Sequence, residues 1–252
     1  MSILIARDGL SFYISAKIPT GSGNCVERKF NSPKTPGEIL EQIESTLQDE
    51  NIFLEEMETI SIVYANNLYC FVPAEFFDEN HLSDYLKFNA KILTTDFLAH
   101  DFLKNKKYVN VFVPYANINN YFFERFGSFE YKHSASVLAE NLLSKNKSKE
   151  EIMYVQVFWN HFDLVVLKKD KLLLCNSFLF ETPEDFVYYI LFVAEQLKLD
   201  PENFVLNLSG KISEDSENYK LLRDYVRNCA IVKNEWEISS GKHFSFNAQE
   251  CE

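Results

Sequence analysis

Glycine is scarce in this chain. Only seven of the 252 residues are glycine, under half the usual share of about 7%, and each has a plain structural place. Gly9 reads as part of a turn, Gly21 and Gly23 as loop, Gly37 as a helix start, Gly127 as a helix C-cap, Gly210 as a strand end and Gly241 as tail. None is left over for a glycine-rich cradle around phosphates. Paired cysteines are missing too: Cys25, Cys70, Cys175, Cys229 and Cys251 are odd in number, scattered, and never spaced as C-x-x-C. This usage predicts a reducing compartment, with most of the thiols as small apolar fillers. The five histidines, His81, His100, His133, His161 and His243, never stand at i, i+4 or as H-x-H, so no metal-binding set is read. No G-x-S-x-G occurs, and the first strands carry no interior acid of the kind two-metal nucleases use. Long apolar runs are lacking as well. The opening MSILIARDGL reaches Arg7 and Asp8 too soon for a signal h-region, and Phe186 to Ala194 is far short of the roughly 20 residues that cross a bilayer. A cytoplasmic chain without membrane insertion is expected. Basic residues are outnumbered 25 to 37 by acids, giving a net charge of -12 and a pI near 5.0. Nucleic acid is therefore not an expected partner.

What is abundant is apolar and aromatic: 46% and 15% of the chain, enough for real cores. Near the N-terminus, Ser2 to Ala6 and Leu10 to Ile18 read as strands joined at Asp8-Gly9, with Cys25 to Phe30 as a third. Thr35-Pro36-Gly37-Glu38 then opens a helix to about Gln48: a capping Thr, Pro at the first helical position and Glu three residues after the cap. Its apolar positions, Ile39, Leu40, Ile43 and Leu47, keep helical spacing. Thr59 to Ala65 follows as a buried strand.

The second half repeats this order. Met153 to Phe158, Phe162 to Lys168 and Lys171 to Phe180 are three strands; Thr182-Pro183-Glu184-Asp185 opens a helix to about Lys198; Asn203 to Leu208 is a strand, Asp215 to Val226 a helix and Cys229 to Lys233 a strand. Thr35 and Thr182 are 147 residues apart, and the strands after the two helices, centred near Ile60 and Val205, are 145 apart. So constant an offset points to an internal duplication. The expected division is a first half over 1–144, a charged, apolar-free link over 145–151 and a second half over 152–252. The first half carries an insertion around 71–115, where 80–90 reads as a helix and 92–98 and 108–113 as strands. Beyond it, 117–126 reads as a helix closed by Gly127, 129–133 as a short strand and 136–143 as a helix. The run Phe186 to Ala194 is apolar all round, which predicts a helix buried between a sheet and its neighbours.

Three strands, helix, strand, helix, strand, present twice, resembles the duplicated actin-like ATPase fold, which is ribonuclease H-like and α/β. The passage Asn117-Ile-Asn-Asn-Tyr-Phe-Phe-Glu-Arg-Phe-Gly127 through Ser136-Val-Leu-Ala-Glu-Asn-Leu-Leu143 resembles the crossing into the second half of pilus-assembly and secretion members. The chain is also similar to a small, uncharacterised bacterial family of that superfamily. The resemblance implies two phosphate loops of the form Asp-x-Gly followed by Thr, Ser or Lys, one at the first hairpin of each half. Laid on this chain, the second loop puts Gln156 at the Asp, Phe158 at the Gly and Phe162 at the Thr. The first puts Ile5 at the Asp and Arg7 at the Gly, with Asp8-Gly9 one step late. Leu208-Ser209-Gly210 keeps one glycine of the usual pair in the family's adenosine loop. A ring at Phe158 fills a phosphate's volume and donates nothing, and Gln156 cannot anchor magnesium as a carboxylate does.

The function expected from these departures is a non-catalytic binding, adaptor or assembly protein, a pseudo-ATPase whose partner is another protein. It would have no catalytic residues, no metal site and no cofactor. The alternative is a nucleotide-dependent ATPase or kinase with atypical loops that uses ATP and magnesium, and a third possibility is an assembly factor that acts as an oligomer. His161 and Asp163, two apart in the second hairpin, are expected at its turn or rim rather than as a catalytic dyad. The aromatic stretch with Tyr115, Tyr121, Phe122 and Phe123 reads as core, with some rings offered to a protein surface.

Overall fold

The computed structural model describes residues 1–14, 24–54, 57–146, 148–200 and 202–232, with the backbones of 235–238 and 242–245. Residues 15–18 and 233 of two expected strands fall outside it, as do Gly21, Gly23, Gly241 and Cys251. The chain divides into two compact units, Met1–Val137 and Leu138–Glu252.

In the first unit β1 (Ser2–Ala6), β2 (Gly9–Ile14) and β3 (Asn24–Lys29) form an antiparallel meander, followed by α1 (Pro36–Asp49) and β4 (Ser61–Ala65). After an insertion come α3 (Ala116–Phe126) and β8 (Glu130–His133), and the sheet order is β3-β2-β1-β4-β8. The two-residue turn at Arg7-Asp8 pairs β1 with β2 antiparallel, and β3 pairs antiparallel with β2, whereas helical crossovers bring β4 and β8 back parallel. The loop residues of the first hairpin are Arg7 and Asp8, with Gly9 already paired to Ala6.

The second unit repeats the topology. β9 (Glu151–Val157), β10 (His161–Lys168) and β11 (Lys171–Leu179) form the meander, then α5 (Pro183–Gln196), β12 (Val205–Gly210), α6 (Glu217–Tyr225) and β13 (Asn228–Ile231), with the order β11-β10-β9-β12-β13. A two-stranded hairpin of β14 (Glu235–Ile238) and β15 (Lys242–Ser245) follows. Residue register carries the duplication: Ile5 pairs with Tyr64 and Gln156 with Ser209, and Tyr64 and Ser209 stand 145 residues apart. Ile5 and Gln156 therefore hold equivalent sheet positions.

Both Thr-Pro starts are closed capping boxes. Glu38 N–H donates to Thr35 Oγ1 at 3.4 Å while Thr35 N–H donates to Glu38 Oε2 at 2.8 Å; Asp185 N–H and Thr182 do the same at 3.2 Å each way. These bonds satisfy donors that every helix start leaves open. Beneath α5, Met153, Val155, Phe162, Leu164, Leu206 and Leu208 form the core of the second unit.

α5 departs from expectation. Phe186, Val187, Ile190, Val193 and Ala194 are buried, but Tyr188 is 61% and Phe192 42% exposed. An outer helix on an open sheet has the sheet on one side and α6 beside it, so its far face stays uncovered however apolar it is. The insertion also differs. It is a three-stranded antiparallel sheet of β5 (Tyr69–Pro73), β6 (Ala99–Phe102) and β7 (Tyr108–Phe112), with a short α2 (Leu82–Leu86). The expected strand over 92–98 is absent, because Asp96 Oδ2 accepts from Leu93 N–H at 2.7 Å and holds a turn there. α4 (Ser134–Lys145) contains the division between the units, and Glu151, at the end of the expected link, already belongs to β9. Cys25 is disulfide-bonded, unlike the expected set of thiols, while Cys70, Cys175 and Cys229 carry thiols.

Candidate functional site

The turn of the second hairpin is closed by Phe158 N–H donating to His161 O at 2.9 Å. Phe162 is fully buried, with ring centroids of Phe186, Phe178 and Phe180 at 5.0, 5.5 and 6.0 Å. Phe158 is buried too, its ring stacked on His161 at 4.3 Å and 6°. His161 closes the turn, as expected, but it is buried there under the stacked Phe158 ring, and Asp163, two residues into β10, is buried too, at 7% and 1% exposure.

Asp163 stands in a polar row across the sheet. Ser177, Asp163, Gln156 and Ser209 are directly opposite one another on β11, β10, β9 and β12, so their side chains share one face. Neighbours of opposite parity, Val155, Val157, Phe162 and Leu164, belong to the apolar core. Ser177 Oγ hydrogen-bonds to Asp163 Oδ1, and Ser209 Oγ donates to Gln156 Oε1 at 2.7 Å. Gln156 Nε2 has no hydrogen-bond partner among the described residues. Next to it Gly210, with φ +88°, leaves no room for a side chain: a Cβ would lie 2.2 Å from Val157 O and 2.3 Å from Gln156 Nε2. Lys211 Nζ lies 5.1 Å from the Trp159 ring centroid.

In the first unit, Ile5 is fully buried and Arg7 is exposed on the hairpin loop. The Arg7 and Asp8 carbonyls accept from Lys34 N–H at 2.8 Å and Phe30 N–H at 2.9 Å. Past the ends of β1 and β4 lies a buried polar cluster that sequence reasoning missed. Asn66 Nδ2 donates to Val113 O at 3.0 Å, and its Oδ1 accepts from Leu68 N–H at 2.8 Å. His133 Nδ1 accepts from Ala135 N–H at 3.1 Å, which leaves Nε2 to donate to Asn66 O at 3.0 Å. Lone Asn and His residues in apolar surroundings give no signal of such convergence in sequence.

Tyr115 belongs to this cluster. Burial pushes its hydroxyl up to about 12, against the pull of the Arg7 charge and of a hydrogen bond with Asn66, with Asp8 adding to the rise. The folded chain therefore holds this proton through the interval from 10 to about 12 in which the unfolded chain releases it. Stability falls as pH rises through that window, by about 1.4 kcal/mol per pH unit. Tyr115→Phe should flatten this alkaline limb by about that slope, read from denaturant midpoints at successive pH values.

No group of three or more His, Cys, Asp or Glu among the described residues could hold a metal ion. No helix among the described residues is long and apolar enough to cross a membrane.

Residues 1–229 match the model of a family described as "Protein of unknown function (DUF3822)". The chain belongs to the DUF3822 family. Among solved structures it is similar to a Bacteroides thetaiotaomicron protein with actin-like ATPase fold and unknown function, at 22% identity and TM-score 0.78, over 92% of this chain and 89% of that one. It is also similar to a PilM-PilN type IV pilus biogenesis complex, at 15% identity and TM-score 0.54, over 91% and 87%. No functionally curated protein matches in sequence. The DUF3822 chain thus has the actin-like ATPase fold, twice β-β-β-α-β with a second crossover to a parallel strand.

Two further surfaces of the DUF3822 chain lie in its first unit. A cleft of about 560 Å³ is lined by Glu44 and Leu47 of α1, by Phe53 and Leu54, and by Tyr121 and Arg125 of α3. The expected aromatic stretch divides here: Tyr115 and Phe122 are buried, while Phe123 is exposed. In the insertion Val72, Leu86, Val111 and Val113 form a core cluster, and Ala99, Leu103, Val109 and Phe112 are buried as well. The insertion leaves Phe76, Phe88, Leu93, Phe97 and Phe102 more than half exposed, Phe88 at 84%.

Proposed function

We propose that this protein is a non-catalytic adaptor or assembly factor on an actin-like scaffold, and that it acts by binding another protein rather than by turning over a nucleotide. The observation that carries this reading is the packing of Phe162. Its ring is the centre of a four-ring cluster at the position the fold resemblance assigns to a phosphate-binding Thr.

The neighbouring residues support the same reading and do not fit a magnesium nucleotide. Gln156 engages Ser209 instead of presenting a carboxylate to a cation. Phe158 spends its surface on His161 and offers no donor to a phosphate oxygen. In the first unit the equivalent of Gln156 is the fully buried Ile5, and Arg7 stands where the resemblance puts the glycine that would let backbone amides approach an anion. The partner reading draws on the insertion. Five large apolar side chains exposed on one small subdomain exceed the scatter of single hydrophobics normal on a soluble surface, and Phe is a typical anchor at protein contacts. The similar PilM structure was solved with a protein, PilN.

Titration of the full chain with ATP and magnesium by isothermal calorimetry should give no saturable heat. Saturation that requires magnesium would overturn the non-catalytic reading and favour the ATPase or kinase alternative.

A further inference from the structure

We infer that the outer edge of β11 is a self-association surface, and that its occupant is a second copy of this chain related by a two-fold axis through Asn176. Among the described residues β11 ends the order of the second sheet. Edge strands are usually protected by charges, and the equivalent rim strand β3 carries Glu27, Arg28 and Lys29 in six residues. β11 is nine residues long, and from Leu172 to Leu179 it carries no charge. A long, largely uncharged strand on the sheet's outer edge is a template for another strand.

The sequence of β11 chooses the occupant. In antiparallel pairing about Asn176, Leu174 meets Phe178 of the second copy, and Cys175 meets Ser177. At either end Leu173 meets Leu179, and Lys171 meets Glu181. Leu173 and Leu179 are 41% and 59% exposed, so the pairing covers the apolar side chains that the single chain leaves in water. Opposite charges close both ends, which a parallel alignment of two copies would not achieve. The register shift between Val166 and Leu167 makes Leu173 the extra residue of a bulge, so the regular ladder runs over Leu174 to Phe178 and the leucines close it. At Ser177 the backbone N–H donates to Asn176 Oδ1 at 3.0 Å; in the pair this side-chain acceptor gives way to a carbonyl of the second strand.

α5 extends the surface. Phe178 stacks on Tyr189 at 5.0 Å, Tyr189 meets Tyr188 at 5.3 Å, and Tyr188 stacks on Phe192 at 6.0 Å. This aromatic band leads from the strand to the uncovered face of the helix. Pairing about a two-fold perpendicular to the sheet places both α5 helices on one side of a ten-stranded sheet, two sheets of five strands each. Their bands then add to the strand contact, which is needed because a stable dimer buries roughly 800 Å² per partner. The inference does not depend on how the nucleotide titration comes out.

Sedimentation velocity of the full chain should show a concentration-dependent monomer–dimer equilibrium. Leu179→Lys, at an exposed position, should raise the dissociation constant at least tenfold while leaving thermal unfolding of the monomer unchanged. In a non-hydrogen-bonded antiparallel pair the Cα atoms stand about 4.5 Å apart, within disulfide reach. Asn176→Cys should therefore give a covalent dimer on mild oxidation that the parent chain does not give. A strict monomer at all concentrations, or a dimer that Leu179→Lys leaves unchanged and Asn176→Cys does not cross-link, would overturn the inference. So would a monomer whose Leu179→Lys variant loses binding to a different protein, since the edge would then serve a foreign strand.

Discussion

Phe162→Ala should lower the stability of the second unit by about 3–5 kcal/mol, the range for truncating a fully buried aromatic side chain. The ring has no exposed surface and touches Phe178, Phe180 and Phe186, so the cavity opens among rings that cannot collapse into it without leaving their own contacts. Denaturant unfolding followed by tryptophan fluorescence, from Trp159 and Trp236 of the second unit, reads the loss. Phe162→Thr, which restores the residue type of a phosphate loop, should be destabilised to a similar degree and gain no affinity for ATP. A Thr variant that unfolds at the parent's midpoint would show that the ring is not integral to the core, and would remove the main support for a non-catalytic scaffold.

Gly210→Ala should cost about 2–5 kcal/mol: roughly 1–3 for a left-handed backbone with a side chain and a comparable amount for overpacking. The nearer obstacle is a backbone atom, Val157 O, at 2.2 Å from the added Cβ. A carbonyl inside a paired strand cannot rotate away as a flexible side chain can, and moving it strains the turn into Phe158. The second obstacle is Gln156 Nε2 at 2.3 Å, so the substitution should also break the bond that Gln156 accepts from Ser209. Gly37→Ala is the matched control. Nothing lies within 4 Å of its added Cβ, and in the first turn of α1 the change should be neutral or stabilising by up to about 1 kcal/mol. Equal midpoints for the two variants would mean that β12 ends in a conformation other than the one described.

Much of the fold was legible in the sequence, for reasons that are local. Thr35-Pro36 and Thr182-Pro183 announce helices because a capping hydroxyl, a fixed φ and an acid at the third position act within one turn. The strands of both meanders declare themselves through apolar runs broken by turns, and the constant offset between the halves implies that the second repeats the element order of the first. Where side chains compete with backbone, as Asp96 does at Leu93, periodicity misled and the strand over 92–98 did not form.

The candidate site was legible only in part. Composition and spacing alone determined that this chain has few glycines, no C-x-x-C and two related halves of helix and strand. That Gln156 meets Ser209, that Ser177 and Asp163 join them in one buried row, and that Asn66, Tyr115 and His133 converge past the ends of β1 and β4 was decided by tertiary structure. Those residues are distant along the chain, and parallel crossovers bring them together through long-range register rather than local propensity. The uncovered face of α5 has the same origin: its sequence is apolar all round, and only the finite width of a five-stranded sheet leaves Tyr188 and Phe192 in water.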